Sequence, residues 1–263
     1  MTVERIGGAA DPRVASFRDV PDAERLRLQG LFVAEGRLIV GRILEAPRHR
    51  VRAVLVNDAS YRELVKGFAR LPGDVPIFVA DRTAILDLTG HDLHRGCLAL
   101  VERPLAASAA AVLASAETVV ILEGVSNADN VGGVFRNAAA FGASVLLSPA
   151  CCDPLYRKAI RTSMGAVLRV PFARLDEWPT GLAVVRESGF TMAALTPREP
   201  AEPLRRFAPH AGRLAWLVGT EGAGLSDAVE AAADHRVRIP ISGAVDSLNV
   251  AVAVGIALYE GDG

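Results

Sequence analysis

Apolar positions along the chain follow two alternating patterns. Short apolar-rich runs, such as Val51 to Asn57, Cys97 to Val101, Thr118 to Leu122 and Phe190 to Leu195, are bounded by polar or Gly/Pro punctuation. The segments between them repeat apolar residues at three and four positions, the helical period. Strands are predicted at Leu31 to Ala34, Val51 to Asn57, Val75 to Ala80 and Cys97 to Val101, with helices at Arg37 to Leu44, Tyr61 to Arg70 and Arg82 to Leu88. A second series has strands at Thr118 to Leu122, Val145 to Leu147, Phe190 to Leu195, Ala215 to Val218 and Arg236 to Ile239, and helices at Val131 to Phe141, Pro154 to Met164 and Ser247 to Tyr259. Such alternation predicts an α/β protein with largely parallel strands.

An Ala/Ser-rich stretch, Pro104 to Ala116, separates the two series and places a domain boundary near residue 105, giving domains 1–105 and 106–263. The chain has 263 residues, 51% hydrophobic and 22% charged, which is ample for two cores and excludes a disordered or fibrous class. Its formal charge of -1 rules out a polyanion binder by bulk charge, so any nucleic-acid site has to be local. The bases are nearly all arginine, lysine occurring only at Lys66 and Lys158. Arginine is the better planar fork for phosphate. Arg25, Arg27, Arg37, Arg42, Arg48, Arg50 and Arg52 face only Glu35 and Glu45 within residues 25–52. With His49 they form a candidate phosphate-tracking surface or, equally, an ordinary solvated face.

Cys97, Cys151 and Cys152 show no zinc or redox spacing, and an adjacent pair seldom bridges itself, so a reducing cytoplasm is the expected setting. His91 and His94 have helical ligand spacing but no third ligand nearby and are read as loop or cap residues; no metal is expected. The first twenty residues lack an apolar core of a signal peptide. The longest apolar runs, Ala106 to Ala116 and Val250 to Tyr259, are shorter than the ~20 residues a bilayer requires.

Three strand ends run into loops with chemistry. The first, Asn127 to Arg136, offers Asn/Asp capping groups, two glycines and an arginine, which suits either an anion site or a well-capped helix. The second, Gly219-Thr220-Glu221-Gly222-Ala223-Gly224, has its glycines in GxxGxG order without a following Lys-Ser/Thr. Neither a dinucleotide fingerprint nor a P-loop is met. The third, Ile239 to Val250, carries Pro240 at a strand end and Ser247 and Asn249 at a helix start. Capping accounts for Ser247, whereas Asn249 is placed inside the first turn. Ligands of open α/β sheets bind at such carboxyl ends.

In this order and spacing the three stretches resemble the signature motifs of the TrmH/SpoU family of SPOUT methyltransferases: NADNVGGVFRNAAAFGA, LVGTEGAGL and IPISGAVDSLNVAVAVGIALYE. DPLYRKAIRTSMGAVLRVP resembles the segment between the first two motifs, and FVAEGRLIV and GCLALVERP resemble the family's small L30e-like substrate-binding domain. Ala128 and Ile241 stand where proline and methionine are common in the family. The resemblance implies a trefoil-knotted methyltransferase domain after an L30e-like α/β domain, homodimeric, transferring methyl from S-adenosylmethionine to a ribose 2'-hydroxyl of tRNA or rRNA. It assigns Leu195, Thr196, Gly219, Ile239 and Leu248 to the cofactor. Asn130, Arg136, Glu221, Ser247 and Asn249 become the catalytic set, and Arg48, Arg50 and Arg52 the RNA-contacting patch.

Because guanidinium rarely deprotonates, Arg136 is expected to hold phosphate and favour the alkoxide, the base being phosphate, water or an unusually perturbed arginine. Glu221 and Asn249 are expected to anchor loops. A non-catalytic RNA-binding factor on the same fold would not need these residues, and related base methyltransferases have different third motifs.

Overall fold

The computed structural model describes residues 2–19, 23–90, 96–207, 212–242 and 244–261. His91 and His94 lie outside the described residues. In chain order the elements are β1 (Thr2–Arg5), α1 (Ala23–Leu28), β2 (Leu31–Glu35), α2 (Arg37–Glu45), β3 (Val51–Val56), α3 (Asp58–Phe68), β4 (Pro76–Val79), α4 (Arg82–Thr89) and β5 (Cys97–Glu102). Then follow α5 (Ala109–Ala114), β6 (Thr118–Leu122), α6 (Ala128–Ala140), β7 (Ser144–Leu147), α7 (Arg157–Thr162), β8 (Phe172–Arg174), α8 (Ala183–Glu187) and β9 (Phe190–Leu195). The chain ends with β10 (Glu202–Pro203), β11 (Arg213–Val218), α9 (Asp227–Ala232), β12 (His235–Arg238) and α10 (Val250–Gly261).

These elements form two compact units: Met1–Leu105 with Leu155–Gly165, and Ala106–Pro154 with Ala166–Gly263. The segment 155–165, assigned to the second domain by sequence position, therefore packs in the first unit. Its reason is electrostatic as well as apolar. Glu35, almost wholly buried at the end of β2, lies 3.4 Å from Arg157 and 3.9 Å from Arg161, both on α7. Arg42 of α2 donates to the Met164 carbonyl in the same unit.

The first unit is a mixed five-stranded sheet in the order β1-β4-β3-β5-β2. Strand β5 runs antiparallel to both β3 and β2, so the expectation of largely parallel strands fails here. Strand direction depends on how a connection returns, which local apolar pattern does not encode. Phe17, Leu55, Phe78, Leu98 and Leu100 are core residues of this unit.

The second unit is a seven-stranded sheet, β10-β12-β9-β11-β6-β7-β8, and every pairing in it is parallel. Val119, Ile121, Leu146, Ala194, Ala215 and Leu217 are buried in a core beneath α5, α8 and α9. Burial on both faces explains their near-continuous apolar runs. Arg213 ties the start of β11 down by donating to the carbonyls of Ala116, Ser188 and Leu113, its guanidinium 4.1 Å above the Phe190 ring. Among the described residues no helix is long and apolar enough to cross a membrane.

Candidate functional site

The carboxyl ends of β9, β11 and β12 open into one cleft of the second unit. It is lined by Leu195, Thr196 and Pro197 after β9, Val218 to Gly222 and Gly224 after β11, Ile239 and Ile241 after β12, and Ser247 and Leu248 before α10. Its free space, counting the part open to solvent, is about 700 Å³. All five residues assigned from sequence to a cofactor, Leu195, Thr196, Gly219, Ile239 and Leu248, line this cleft. So do Glu221 and Ser247 of the catalytic set.

The glycine loop has its shape for a steric reason. A Cβ on buried Gly219 would lie 2.1 Å from the Gly224 carbonyl carbon and 2.3 Å from the Leu225 nitrogen, both backbone atoms that cannot rotate away. This close approach lets Thr220 and Gly224 exchange backbone hydrogen bonds of 3.2 and 3.1 Å. Gly222 and Gly224 then take positive φ, at +93° and +72°, a conformation that L side chains rarely adopt. The result is a thin turn that leaves backbone edges facing the cleft.

Asn249 organises the rim. It lies immediately before α10 rather than inside its first turn, and its Oδ1 accepts from the amides of Ala251 at 3.0 Å and Val252 at 3.3 Å. Asn249, not Ser247, is thus the side chain capping this helix, which corrects the reading of Ser247 as its cap. The other end of the amide ties the loops together: Nδ2 donates to Asn130 Oδ1 at 2.8 Å and to Glu221 Oε1 at 2.7 Å. Residues from all three loops therefore meet on one side chain. Asn130 is buried in the first turn of α6, whose cap is Asn127 accepting from the Asp129 amide.

Arg136 is not brought to this group. It lies exposed two turns further along α6 and lines a separate groove with Gly133, Phe141, Val252 and Tyr259. Six residues rotate an α-helix by about 240°, so Asn130 and Arg136 face different ways. No carboxylate of the described residues lies within ion-pair distance of Arg136. Helices α6 and α10 approach closely along this groove, because Gly133 has room only for hydrogen against the Ala251 Cβ (2.6 Å from an added Cβ). Asn137 donates to the Ala251 carbonyl at 2.6 Å and crosses over Gly255.

Two carboxylates that sequence reasoning missed hold the cleft's frame. Glu123, just after β6, accepts from Trp178 Nε1, Ser226 Oγ and the Ser226 amide, each at 2.8 Å. Buried Glu230 of α9 accepts from Thr196 Oγ1 at 2.8 Å and from Arg236 at 2.5 Å. Nothing local in the sequence marks either one, since each joins elements distant along the chain.

In the first unit, Arg48, Arg50 and Arg52 lie together around the start of β3. Arg52 is 3.2 Å and Arg50 is 4.0 Å from Glu102 of β5, a partner outside the sequence window that made the run look nearly unopposed. Arg37 and Arg42 are engaged internally, Arg37 with Ser60 and Glu63 and Arg42 with the Met164 carbonyl. Burial and the Arg48 charge push the His49 pKa down, which disfavours its charged form. Among the described residues no cluster of His, Cys, Asp or Glu is placed to hold a metal. The Cys97 thiol is pushed up to about 12 by burial, which makes it inert.

A cleft at parallel strand ends, walled by a glycine turn and rimmed by polar side chains from three loops, is the place where an open α/β enzyme fold binds its ligand. The whole chain superposes on an AdoMet-bound rRNA methyltransferase from Sinorhizobium meliloti with a TM-score of 0.82 at 23% identity, covering 98% of this chain and 97% of that one. An uncharacterized tRNA/rRNA methyltransferase of Mycobacterium bovis is 40% identical over 267 residues, covering 99% of this chain and 92% of the relative. A 23S rRNA (guanosine-2'-O-)-methyltransferase, RlmB, of Coxiella burnetii is 29% identical over 235 residues, 84% of this chain and 91% of its own. The SpoU rRNA methylase family matches residues 117–259, and the chain belongs to that family. It is an RNA methyltransferase, as the three loops implied.

Proposed function

We propose that this chain methylates a ribose 2'-hydroxyl of rRNA or tRNA with S-adenosylmethionine as donor. The observation that carries the reading is the meeting of Asn130, Glu221 and Asn249 on the rim of the cleft formed by Leu195, Thr196, Gly219, Ile239 and Leu248. The 2'-O specificity agrees with the name of the Coxiella relative.

The residues fit the cofactor. Leucine and isoleucine side chains offer apolar walls to an adenine and a methionine chain, while the thin Gly219 turn exposes backbone polar groups for its ring and hydroxyls. When bound, S-adenosylmethionine supplies a methyl group on a positively charged sulfur. Everything else is left to the protein. Asn249, held by Asn130 and Glu221, fixes the start of α10 and so places Ser247 and Leu248 against the cleft. Ser247 is exposed at the rim, where its hydroxyl can hydrogen-bond a ribose oxygen. Among the described residues no histidine lines the cleft to take the ribose proton. Arg136 presents a guanidinium that orients the adjoining phosphate and lowers the cost of the developing alkoxide, and the ribose proton passes to water or to that phosphate.

Arg136 projects into the α6/α10 groove instead of its own cleft, which supports a homodimer in which each chain's Arg136 serves the partner's cleft. Exposed Val252 and Tyr259 and the neighbouring Phe141 give that groove an apolar character suited to a second copy. We read the passage of the chain through its β9, β11 and β12 loops into α10 as the trefoil knot of SPOUT enzymes, and the first unit as an L30e-like RNA-presenting domain. Arg48, Arg50 and Arg52 contact RNA phosphates, and the enzyme works in the cytoplasm. The test is alkaline hydrolysis of RNA labelled by the enzyme from methyl-labelled donor. Label in hydrolysis-resistant dinucleotides supports ribose methylation, and label in mononucleotides refutes it.

A further inference from the structure

Two of the loops that line the cleft are joined by a side chain that the motif pattern does not single out. Arg198 follows the β9 loop, and its Nη2 donates to the Ala223 carbonyl in the glycine loop at 2.9 Å. Its Nη1 reaches Asp227 at 3.0 Å and approaches Glu230 at 3.7 Å. The Arg198 amide donates to Thr196 Oγ1 at 3.2 Å, and that hydroxyl donates in turn to Glu230 Oε1 at 2.8 Å. Glu230 Oε2 takes Arg236 of β12 at 2.5 Å, while the Thr196 amide donates to the Val237 carbonyl.

One buried carboxylate therefore connects β9, β12 and α9, and one arginine extends the connection to the glycine loop. The far end of α9 is anchored independently, by Ser226 on Glu123. The helix is thus held at Ser226 and at Glu230, and the turn Gly219 to Ala223 is tied by side chains at two points. Glu221 meets Asn249 on one side of it, and Arg198 bonds to its last residue on the other.

We propose that Arg198 and Glu230 are positioning residues that clasp the β9 loop to the glycine loop and so set the affinity of the cleft for S-adenosylmethionine. Neither touches the reacting atoms. The Asp227 arm is fully solvent-exposed and contributes little. The Ala223 carbonyl bond is the part of the clasp that matters, because it holds the turn whose neighbouring residues Gly222 and Gly224 line the cleft. This inference rests on the cofactor assignment made above, and its test separates the two.

The experiment is calorimetric titration of S-adenosylmethionine into the wild-type, Arg198→Ala, Arg198→Lys and Asp227→Ala proteins, with melting temperatures and steady-state kinetics on RNA alongside. The expected result is a roughly tenfold weaker Kd and a matching rise in KM for the donor in Arg198→Ala. Its kcat at saturating donor stays within about twofold of wild type. Asp227→Ala binds like the wild type, and Arg198→Lys stays weak because an ammonium lacks the fork that reaches Ala223. Wild-type binding with an equal Kd in Arg198→Ala overturns the clasp and leaves the cofactor reading intact. A fall in kcat with unchanged KM also overturns it, as does a weak Asp227→Ala. Absence of binding by the wild type overturns the cofactor reading and the clasp together.

Discussion

Asn249→Asp separates the two duties of the rim asparagine. Oδ1 caps α10 through Ala251 and Val252, and aspartate caps a helix as well as asparagine does, so folding is preserved. The donor side is destroyed, because Nδ2 bonds Asn130 at 2.8 Å and Glu221 at 2.7 Å and a carboxylate has no proton to give. Losing two hydrogen bonds costs about 1 kcal/mol each. Two carboxylates in near contact at the solvated rim repel by about 1 kcal/mol more at water-like dielectric. If this arrangement is needed in the transition state, the total of about 3 kcal/mol lowers turnover roughly 100-fold. The assay is single-turnover methyl transfer to RNA at saturating labelled donor, with a thermal melt as control. Because the same bonds are present in the free protein, the melting temperature should fall by about 6–12 °C, leaving the protein folded at the assay temperature. Wild-type turnover by the folded variant would refute the view that Asn249 organises the site.

Gly219→Ala places a methyl group 2.1 Å from a backbone carbon, so the glycine turn has to open; strain of about 1–3 kcal/mol is expected, read as roughly 5- to 150-fold weaker donor binding by calorimetry with RNA binding unchanged. Partial burial alone would raise the Asp234 carboxyl, but the Met192 amide at 2.8 Å and the Arg186 guanidinium at 2.6 Å outweigh it and hold it below its ordinary value. A lowered folded-state pKa stabilises above the unfolded value near ~3.9 and is lost as pH falls further. Asp234→Asn should therefore cost up to about 1 kcal/mol at pH 7 and show a shallower stability loss below about pH 4 in denaturant titrations. Replacing Arg48, Arg50 and Arg52 together by alanine should weaken RNA binding and reduce the slope of log K against log salt by about one to three, one for each phosphate no longer neutralised; filter binding at several salt concentrations measures it.

What the sequence disclosed follows physical lines. β6 and β9 match their predicted limits, and β3, β5 and β11 lie within two residues, since burial on both faces makes their apolar runs nearly continuous. β1 escaped because it is a largely exposed edge strand, and β8 and β10 because three and two residues carry no period. Helix α6 starts three residues before its predicted limit, where Asn127 caps it, and α10 starts three after, where Asn249 does. Reading Ser247 as the cap misplaced that boundary. The loop residues were legible through their glycines and asparagines, which have few ordinary reasons to cluster at strand ends. Glu123, Arg198 and Glu230 were not, because an isolated charge looks the same whether it is solvated or joins three elements. The apparent clustering of Arg25 to Arg52 likewise weakened once Glu63, Glu102 and the Met164 carbonyl came alongside several of its members.

We propose methyl transfer from S-adenosylmethionine to ribose, with Arg136 essential for the chemistry and dispensable for the cofactor. It is tested most directly by giving wild type and Arg136→Ala the same labelled donor and unmodified total RNA, measuring donor affinity for both, and identifying the labelled nucleosides. The account predicts equal donor affinity, 2'-O-methylnucleosides from the wild type, and none from the variant. Labelled bases from the wild type, or undiminished 2'-O-methylation by Arg136→Ala, would contradict it.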